Sequence, residues 1–143
     1  MKSLIKLEEL AQFLACALVL VTNKVEWWWY VLLFLGPDIG MAGYLINPRV
    51  GALTYNLLHH KGIPVLVLLL SSGGIYQRLM LWSQDRGEFG MPWTVIAALI
   101  LYGHASMDRI FGYGLKFGDS FQHTHLGWIG KLKAASSESA SGQ

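Results

Sequence analysis

The residues of this chain best suited to metal binding or proton transfer are its histidines and two of its aspartates. His104 and Asp108 are four residues apart, so a helix places both side chains on one face. Imidazole and carboxylate groups suit zinc or iron, and a catalytic zinc ion takes three protein ligands and keeps one position open for water. We therefore predict a zinc site whose ligands come from His59, His104, His125 and Asp38, with Asp108 as the alternative carboxylate.

A second interpretation of the same residues needs no metal. The carboxylate of Asp108 can hold His104 in one tautomer, which makes the imidazole a general base. Asp38 or Asp108 then serves as the proton donor of an isomerase or cyclase. Both chemistries stay open at this stage, and in both of them Asp38, His104 and Asp108 are the predicted catalytic residues.

Four apolar runs must position these groups. Apolar residues make up 53% of the 143 residues and charged residues only 14%, against roughly 25% charged residues in ordinary soluble domains. The runs cover residues 10–21, 25–46, 63–82 and 92–112, and each can be drawn as about 20 residues of helix, enough to cross a ~30 Å hydrocarbon core. We predict an all-α fold, a four-transmembrane-helix bundle formed by a single domain over residues 1–133.

Aromatic and basic residues near the ends of the runs predict how the bundle lies in a membrane. Trp27 opens the second run, Trp82 closes the third and Trp93 opens the fourth, as in an interfacial aromatic belt. Basic residues are more numerous on the side of the N-terminus, which favours a cell-membrane protein with both termini cytoplasmic. That side holds Lys2, Lys6, Arg49, Lys61, Lys116, Lys131 and Lys133, and the opposite side holds Lys24, Arg78 and Arg86.

The polar groups are expected to meet near the cytoplasmic face. Asp38 lies 12 residues after Glu26, and His104 lies 12 residues after Pro92, so both descend about 18 Å from the outer boundary. Residues 47–62 are too polar for an easy span and predict a short amphipathic helix at the cytoplasmic face between spans 2 and 3. Because an ionisable group inside a membrane is costly, this convergence indicates a functional site.

Four stretches of the sequence resemble a family of small bacterial integral membrane proteins described only as a domain of unknown function. They are PDIGMAGY from residue 37, NPRVGALTYNLLHH from residue 47, GHASMDRIFGYGLK from residue 103 and THLG from residue 124. The resemblance covers nearly the whole chain except residues 134–143, whose Ser-rich composition predicts a disordered tail. It implies no activity, but it implies a set of signature positions: Asp38, Tyr44, Arg49, Tyr55, Asn56, His59, His104, Asp108, Arg109, Tyr113 and His125.

Within that set, the resemblance adds Tyr113 to the candidate catalytic residues. The candidate substrate-binding residues are Tyr44, Arg49, Asn56 and Arg109. A more distant resemblance is to membrane-bound metal-dependent hydrolases, whose spans also carry a Pro-Asp pair and a Thr-His-Leu string near one face. This second resemblance favours hydrolysis as the reaction.

Three classes of function fit these observations. The first is an enzyme that hydrolyses a lipid-soluble substrate entering from the inner leaflet, with the metal-free isomerase or cyclase as its rival. The second is a small ion or proton carrier, and the third is a membrane assembly module whose small-residue helix faces form a homo-oligomer. A net charge of only +2 argues against a nucleic-acid partner. The expected partners are a lipid-soluble small molecule and membrane lipid.

Overall fold

The computed structural model describes residues 2–71 and 91–129 of the chain, which are mostly helical as predicted. Within these ranges lie five α-helices, one 3₁₀ helix and one short antiparallel hairpin. The helices are α1 (Lys2–Thr22), α2 (Trp27–Leu35), the 3₁₀ segment (Pro37–Leu45), α3 (Pro48–His59), α4 (Gly62–Ser71 as far as the structure describes it) and α5 (Trp93–Phe111), and the hairpin strands are β1 (His123–Thr124) and β2 (Gly127–Trp128).

Two packing contacts organise the fold. The helix α1 packs along α5, and the 3₁₀ segment packs along α3. A small apolar core forms where α1, α2 and α5 meet, built from Leu20, Leu33, Ile96 and Ile100. The helix α5 contacts α1, α2 and α3, so residues on α5 can meet partners from several parts of the chain.

The prediction of one continuous α-helix over residues 25–46 is wrong, because the α-helix breaks after Leu35. Pro37 has no N–H to continue the α-helical hydrogen bonds, and the chain tightens into the 3₁₀ segment. Two glycines let this segment approach α3 closely. A Cβ atom on Gly40 would lie 2.8 Å from the carbonyl oxygen of Thr54, and one on Gly43 would lie 2.9 Å from that of Val50.

The amphipathic helix predicted between residues 47 and 62 is present as α3. Its start follows from its sequence, since the side chain of Asn47 accepts a hydrogen bond from the N–H of Val50 at 2.9 Å. Pro48 occupies the first turn, where a missing N–H has no cost. The helix ends at His59, whose side chain is thereby placed at the junction with α4.

The end of α5 turns the chain into the hairpin. Gly112 adopts a left-handed conformation with φ 92°, a conformation that favours glycine at a helix end. The hairpin pairs His123 with Trp128 and Thr124 with Gly127. Thr124 also forms an isolated bridge with Lys116, which ties the segment after α5 back to the hairpin.

Taken singly, none of the helices within residues 2–71 and 91–129 is long and apolar enough to cross a membrane. The pair α3 and α4, bent by 43° at their junction, meets that condition by length and composition. Large apolar side chains remain exposed along the helices, including Leu7, Leu53 and Trp93. The four predicted spans stay a prediction, and the second half of the third run and the tail at 134–143 lie outside the described residues.

Candidate metal centre

Four ionisable side chains from three elements meet inside the fold. Asp38 comes from the 3₁₀ segment, His59 is the last residue of α3, and His104 and Asp108 lie on one face of α5. One candidate ligand atom from each residue lies within 4.8 Å of all the others. We call these four residues the His/Asp cluster. The three residues on α3 and α5 are buried, while the Asp38 side chain is 33% exposed.

The spacing within the His/Asp cluster suits a metal ion. The Nε2 atom of His59 lies 3.3 Å from Asp108 Oδ2 and 3.7 Å from Asp38 Oδ1. The Nε2 atom of His104 lies 3.4 Å from Asp38 Oδ1 and 3.8 Å from Asp108 Oδ1. Ligands bound tetrahedrally at the usual Zn–N and Zn–O distances are about 3.3 Å apart. The four histidine–aspartate distances are close to that spacing, and one ligand atom from each of the four residues lies within 4.8 Å of the others.

Both histidines are held with Nδ1 away from the cluster and Nε2 towards it. Nδ1 of His104 lies 2.9 Å from the carbonyl oxygen of Leu33, and Nδ1 of His59 lies 2.8 Å from that of Tyr55. A carbonyl only accepts hydrogen bonds, so each Nδ1 carries the proton and donates it. This is how histidine ligands are usually oriented in metal sites, with the other ring nitrogen free to bind the metal.

The carbonyl that orients His104 is free because of Pro37. In an uninterrupted α-helix, the carbonyl of Leu33 would accept from the N–H of residue 37. Proline has no N–H, so this carbonyl lacks its helical partner and is available to the imidazole. The same residue that ends α2 therefore prepares the ligand from α5.

The two Nε2 atoms and Asp38 Oδ1 are buried without a hydrogen-bond partner in the part of the chain that the structure describes. A neutral imidazole presents a lone pair at Nε2, and this lone pair faces carboxylate oxygens that also carry lone pairs. Such an arrangement is repulsive unless a cation lies between the groups. Either a metal ion or a proton on each imidazole supplies that cation.

Tyr55 fixes the carboxylate of Asp108. Its hydroxyl donates a hydrogen bond to Asp108 Oδ2, and its ring stacks on His59 at a centroid distance of 3.7 Å. The Tyr55 side chain is almost completely buried. Burial, together with the nearby charge of Asp108, raises the pKa of Tyr55, so the phenol keeps the proton that it donates.

A buried lysine lies next to Tyr55. Lys116 is only 4% exposed, and its Nζ atom lies 4.1 Å from the ring centroid of Phe121 and 5.0 Å from that of Tyr55. Asn56 holds its backbone in place, because the amide side chain accepts from the Lys116 N–H at 2.7 Å and donates to the Lys116 carbonyl at 2.8 Å. Burial lowers the pKa of Lys116, opposed by the charges of Asp108 and Asp38.

The structure does not bring His125, a predicted zinc ligand, to the His/Asp cluster. Its side chain is exposed, and its Nδ1 accepts a hydrogen bond from the N–H of Leu115 at 2.8 Å. The turn at Gly112 and the hairpin direct it to a separate groove, which Arg109 and Trp128 also line. Asp108, which was predicted as the alternative carboxylate, lies in the cluster together with Asp38.

The predicted substrate-binding residues are spread around the cluster. Asn56 positions Lys116, as described above, and Arg109 pairs with Glu9 at 3.4 Å rather than with an aspartate of the cluster. Arg49 is exposed beside Gly118. Tyr44 packs its ring edge-on against Phe121, and its hydroxyl is buried without a partner within the described ranges. Of the candidate catalytic residues, Tyr113 is partly exposed, with its ring 5.4 Å from Lys116 Nζ.

Sequence reasoning placed Tyr55 among the signature positions but named neither Tyr55 nor Lys116 as a catalytic, substrate-binding or metal-ligand residue. Both fall in the stretches that carry the family resemblance, but a lone tyrosine near a membrane boundary is usually an interfacial anchor, and a lysine after a span usually a topology signal. The available signal was spacing: Tyr55 lies four residues before His59 on α3, which places the two rings on one helix face.

Comparison with known proteins identifies the family. Residues 2–129 match the model of a family described as Domain of unknown function (DUF4260). Because the match covers nearly the whole chain, the protein belongs to this family, and the resemblance seen in the sequence is confirmed. Neither the curated proteins nor the solved structures include a significant match to the chain.

Proposed function

We propose that this DUF4260 protein is an integral membrane enzyme that binds zinc through the His/Asp cluster and hydrolyses a lipid-soluble substrate. The observation that carries the proposal is the pair of buried Nε2 atoms, each fixed by a carbonyl at Nδ1 and each facing carboxylate oxygens at 3.3–3.8 Å. This arrangement needs a cation, and a divalent metal ion bound by the histidines supplies the positive charge that the carboxylates face.

The positive side chains nearby support the metal over a protein cation. Arg109 is already paired with Glu9, and the ion pairs of Asp38 and Asp108 within residues 2–71 and 91–129 are with the two histidines alone. If an arginine neutralised the aspartates, the histidines would be left for metal-free acid–base work. The isomerase alternative required an arginine paired with these aspartates, and the described residues show no such pair.

Each residue of the cluster then has a role. His59, His104 and Asp108 are the protein ligands, since they are buried and Asp108 is additionally fixed by Tyr55. Two histidines and one carboxylate are a ligand set typical of catalytic zinc, which polarises a water molecule and makes it a nucleophile. Asp38 is the most exposed member. Its carboxylate would accept the proton of the attacking water as general base and would then give it to the leaving group.

The surroundings support a lipid-soluble substrate. The long helices keep large apolar side chains exposed, such as Leu18 and Leu53, and exposed apolar surface on this scale is typical of contact with lipid or a partner. We place the protein in the cell membrane as a bundle of four spanning helices. Both termini are then cytoplasmic, and the amphipathic α3 lies at the inner face. The substrate then reaches the cluster from the inner leaflet, and a homo-oligomer is compatible with this arrangement.

Metal analysis of the full-length protein, gently purified in detergent, tests the site. We expect about one zinc ion per chain in the parent protein and in His60→Ala, and none in His59→Ala. The two histidines are neighbours in the sequence, but His60 is exposed and its side chain hydrogen-bonds only to the backbone of Gly62 among the described residues. No zinc in the parent, or equal zinc in both variants, would eliminate the metal site and favour the acid–base alternative.

Hydrolysis is tested with medium-chain p-nitrophenyl esters of carboxylic and phosphoric acids. Asp38→Asn is expected to keep its zinc but lose hydrolysis, because it loses the base and retains the ligands. Activity that survives in this variant contradicts the assigned role of Asp38. Reporters inserted at Lys24 and fused after Lys133 test the orientation, with Lys24 expected outside and the C-terminal fusion inside.

A further inference from the structure

Two buried hydrogen-bond donors next to the His/Asp cluster have no acceptor in the described part of the chain. They are the Nζ atom of Lys116 and the hydroxyl of Tyr44. Both border the ring of Phe121, since Lys116 Nζ lies 4.1 Å from its centroid and the Tyr44 ring packs against it at 5.3 Å. Buried donors normally have an acceptor, so each of these two groups lacks a partner that a ligand could supply.

The aromatic rings account for only part of the Lys116 environment. Phe121, Tyr55 and Tyr113 stabilise the ammonium charge through their π faces. They accept no ordinary hydrogen bond, however, and an ammonium group has three donors. A buried ammonium without acceptors is costly, so an unmet need remains at Nζ.

Lys116 is also held in place more firmly than a structural lysine requires. Asn56 clamps its backbone from both sides, and the bridge to Thr124 fixes the same residue to the hairpin. A side chain that is both buried and preorganised loses little additional freedom when it binds a ligand group. This placement is suited to recognition.

The charge count at the site favours an anion. If a divalent metal occupies the cluster, as proposed above, its charge neutralises Asp38 and Asp108. Lys116 then leaves the site with one net positive charge, and Tyr44 adds a neutral donor. An oxyanion of the substrate satisfies both the charge and the unpaired donors.

We infer that Lys116 and Tyr44 form an oxyanion subsite beside the His/Asp cluster, which binds a phosphate group carried by the substrate. The inference rests on the proposed function for its charge count but on the orphaned donors for its geometry. The phosphate belongs either to a lipid headgroup or to a free phosphate compound. In both cases Lys116 and Tyr44 bind and orient the substrate, while the chemistry takes place at the cluster.

The test measures binding of two probes to the zinc-loaded protein by titration calorimetry: inorganic phosphate and short-chain dihexanoyl phosphatidic acid. Lys116→Met keeps the length and apolar packing of the side chain, and Tyr44→Phe keeps the ring. We expect the first variant to weaken phosphate binding roughly 10- to 100-fold and the second about 2- to 10-fold. The matched controls Lys24→Met and Tyr30→Phe should bind like the parent.

The outcomes separate the subsite from the metal site. Tighter binding of phosphatidic acid than of phosphate, lost in Lys116→Met, identifies a headgroup as the source, whereas equal binding identifies a free phosphate group. Parent protein that contains zinc but binds neither probe overturns the subsite alone, as does unchanged binding in both variants. Protein that contains no zinc but binds phosphate through Lys116 retains the subsite and refutes the proposed function. If Lys116→Met fails to fold, Tyr44→Phe and Lys116→Arg decide the matter.

Discussion

Two buried polar clusters lie side by side on α5. They differ in whether their charged groups find partners within the cluster. Asp108 belongs to the His/Asp cluster, while its sequence neighbour Arg109 points to a second group that we call the Glu9 network. In that network the buried carboxylate of Glu9 pairs with both Arg109 and Lys61. The Glu9 network consists of Glu9, Gln12, Lys61, Tyr102 and Arg109.

The charged side chains of the Glu9 network form ion pairs with one another. Lys61 donates to Glu9 and to Gln12, and Tyr102 donates to the same Gln12 oxygen at 3.0 Å. The His/Asp cluster instead leaves two imidazole nitrogens and a carboxylate oxygen without partners among residues 2–71 and 91–129. The comparison teaches that buried charge alone does not indicate a site. Unpaired groups that converge on one point do indicate a site, because a ligand is needed to supply their missing partners.

The largest expected effect separates the two clusters by stability. Glu9→Gln removes the carboxylate and leaves Lys61 and Arg109 without their anion, so we expect a loss of about 3 kcal/mol in the free energy of unfolding. Glu8→Gln is the matched control, because Glu8 is exposed and bonds only to Gln12 in the described residues. Denaturation followed by circular dichroism, with and without zinc, measures both. Zinc should stabilise Glu9→Gln by the same increment as the parent, since it binds only the folded state. A different increment would contradict the separation of the clusters.

The next effect concerns the zinc response of the His/Asp cluster. Zinc at about 100 times its dissociation constant should stabilise the parent protein by about 2.7 kcal/mol. Asp108→Asn removes a ligand, so this increment should disappear. Melting curves over a zinc titration measure the difference. An unchanged zinc increment in Asp108→Asn would show that Asp108 is not a ligand.

A smaller effect is expected from the residue that supports the ligand. Tyr55→Phe keeps the ring stacked on His59 but removes the hydrogen bond to Asp108, and loss of such a supporting contact typically weakens metal binding at least 10-fold, about 1.4 kcal/mol. Tyr102→Phe, which loses its bond to Gln12, is the control from the Glu9 network and should bind zinc like the parent. Competition with a chromogenic chelator measures both affinities. Equal affinities would remove Tyr55 from the site.

The smallest effect is a pH dependence set by Lys116. Burial lowers its pKa in the folded protein, so between that pKa and 10.5 the unfolded chain binds more protons than the folded one. Stability should therefore rise slightly as the pH increases through this window. Lys116→Met should reduce the rise without abolishing it, because burial also lowers the pKa of Lys61, whereas Lys24→Met should keep the full rise. Melting temperatures at a series of alkaline pH values measure the slope, and an identical slope in Lys116→Met would contradict the assignment.

The helices were predictable because their signals are local. The apolar run at 92–112 corresponds to α5 (Trp93–Phe111), and Asn47 followed by Pro48 marks the start of α3. The i, i+4 spacing also predicts that His104 and Asp108 share a face. Equal depth predicts the proximity of Asp38 and His104, whose side-chain atoms lie 3.4 Å apart.

The missed features depend on contacts distant in sequence or on single backbone angles. The close approach of Gly40 to α3 is a tertiary contact, so the break at Pro37 did not by itself predict a 3₁₀ segment. The direction of His125 follows from the turn at Gly112 and the register of the hairpin, and neither is visible in residue spacing. Lys116 is buried because Asn56, sixty positions earlier, clamps its backbone.

Pro37 has a consequence for how the sequence can vary. A substitution such as Pro37→Ala restores an N–H that competes with His104 for the carbonyl of Leu33. The imidazole would then be released to adopt its other tautomer, with the proton on Nε2 and no lone pair at the centre of the site. A substitution of Pro37 would thus prevent His104 from binding a metal, although His104 itself is unchanged. The tautomer of His104 on α5 therefore depends on which residue ends α2.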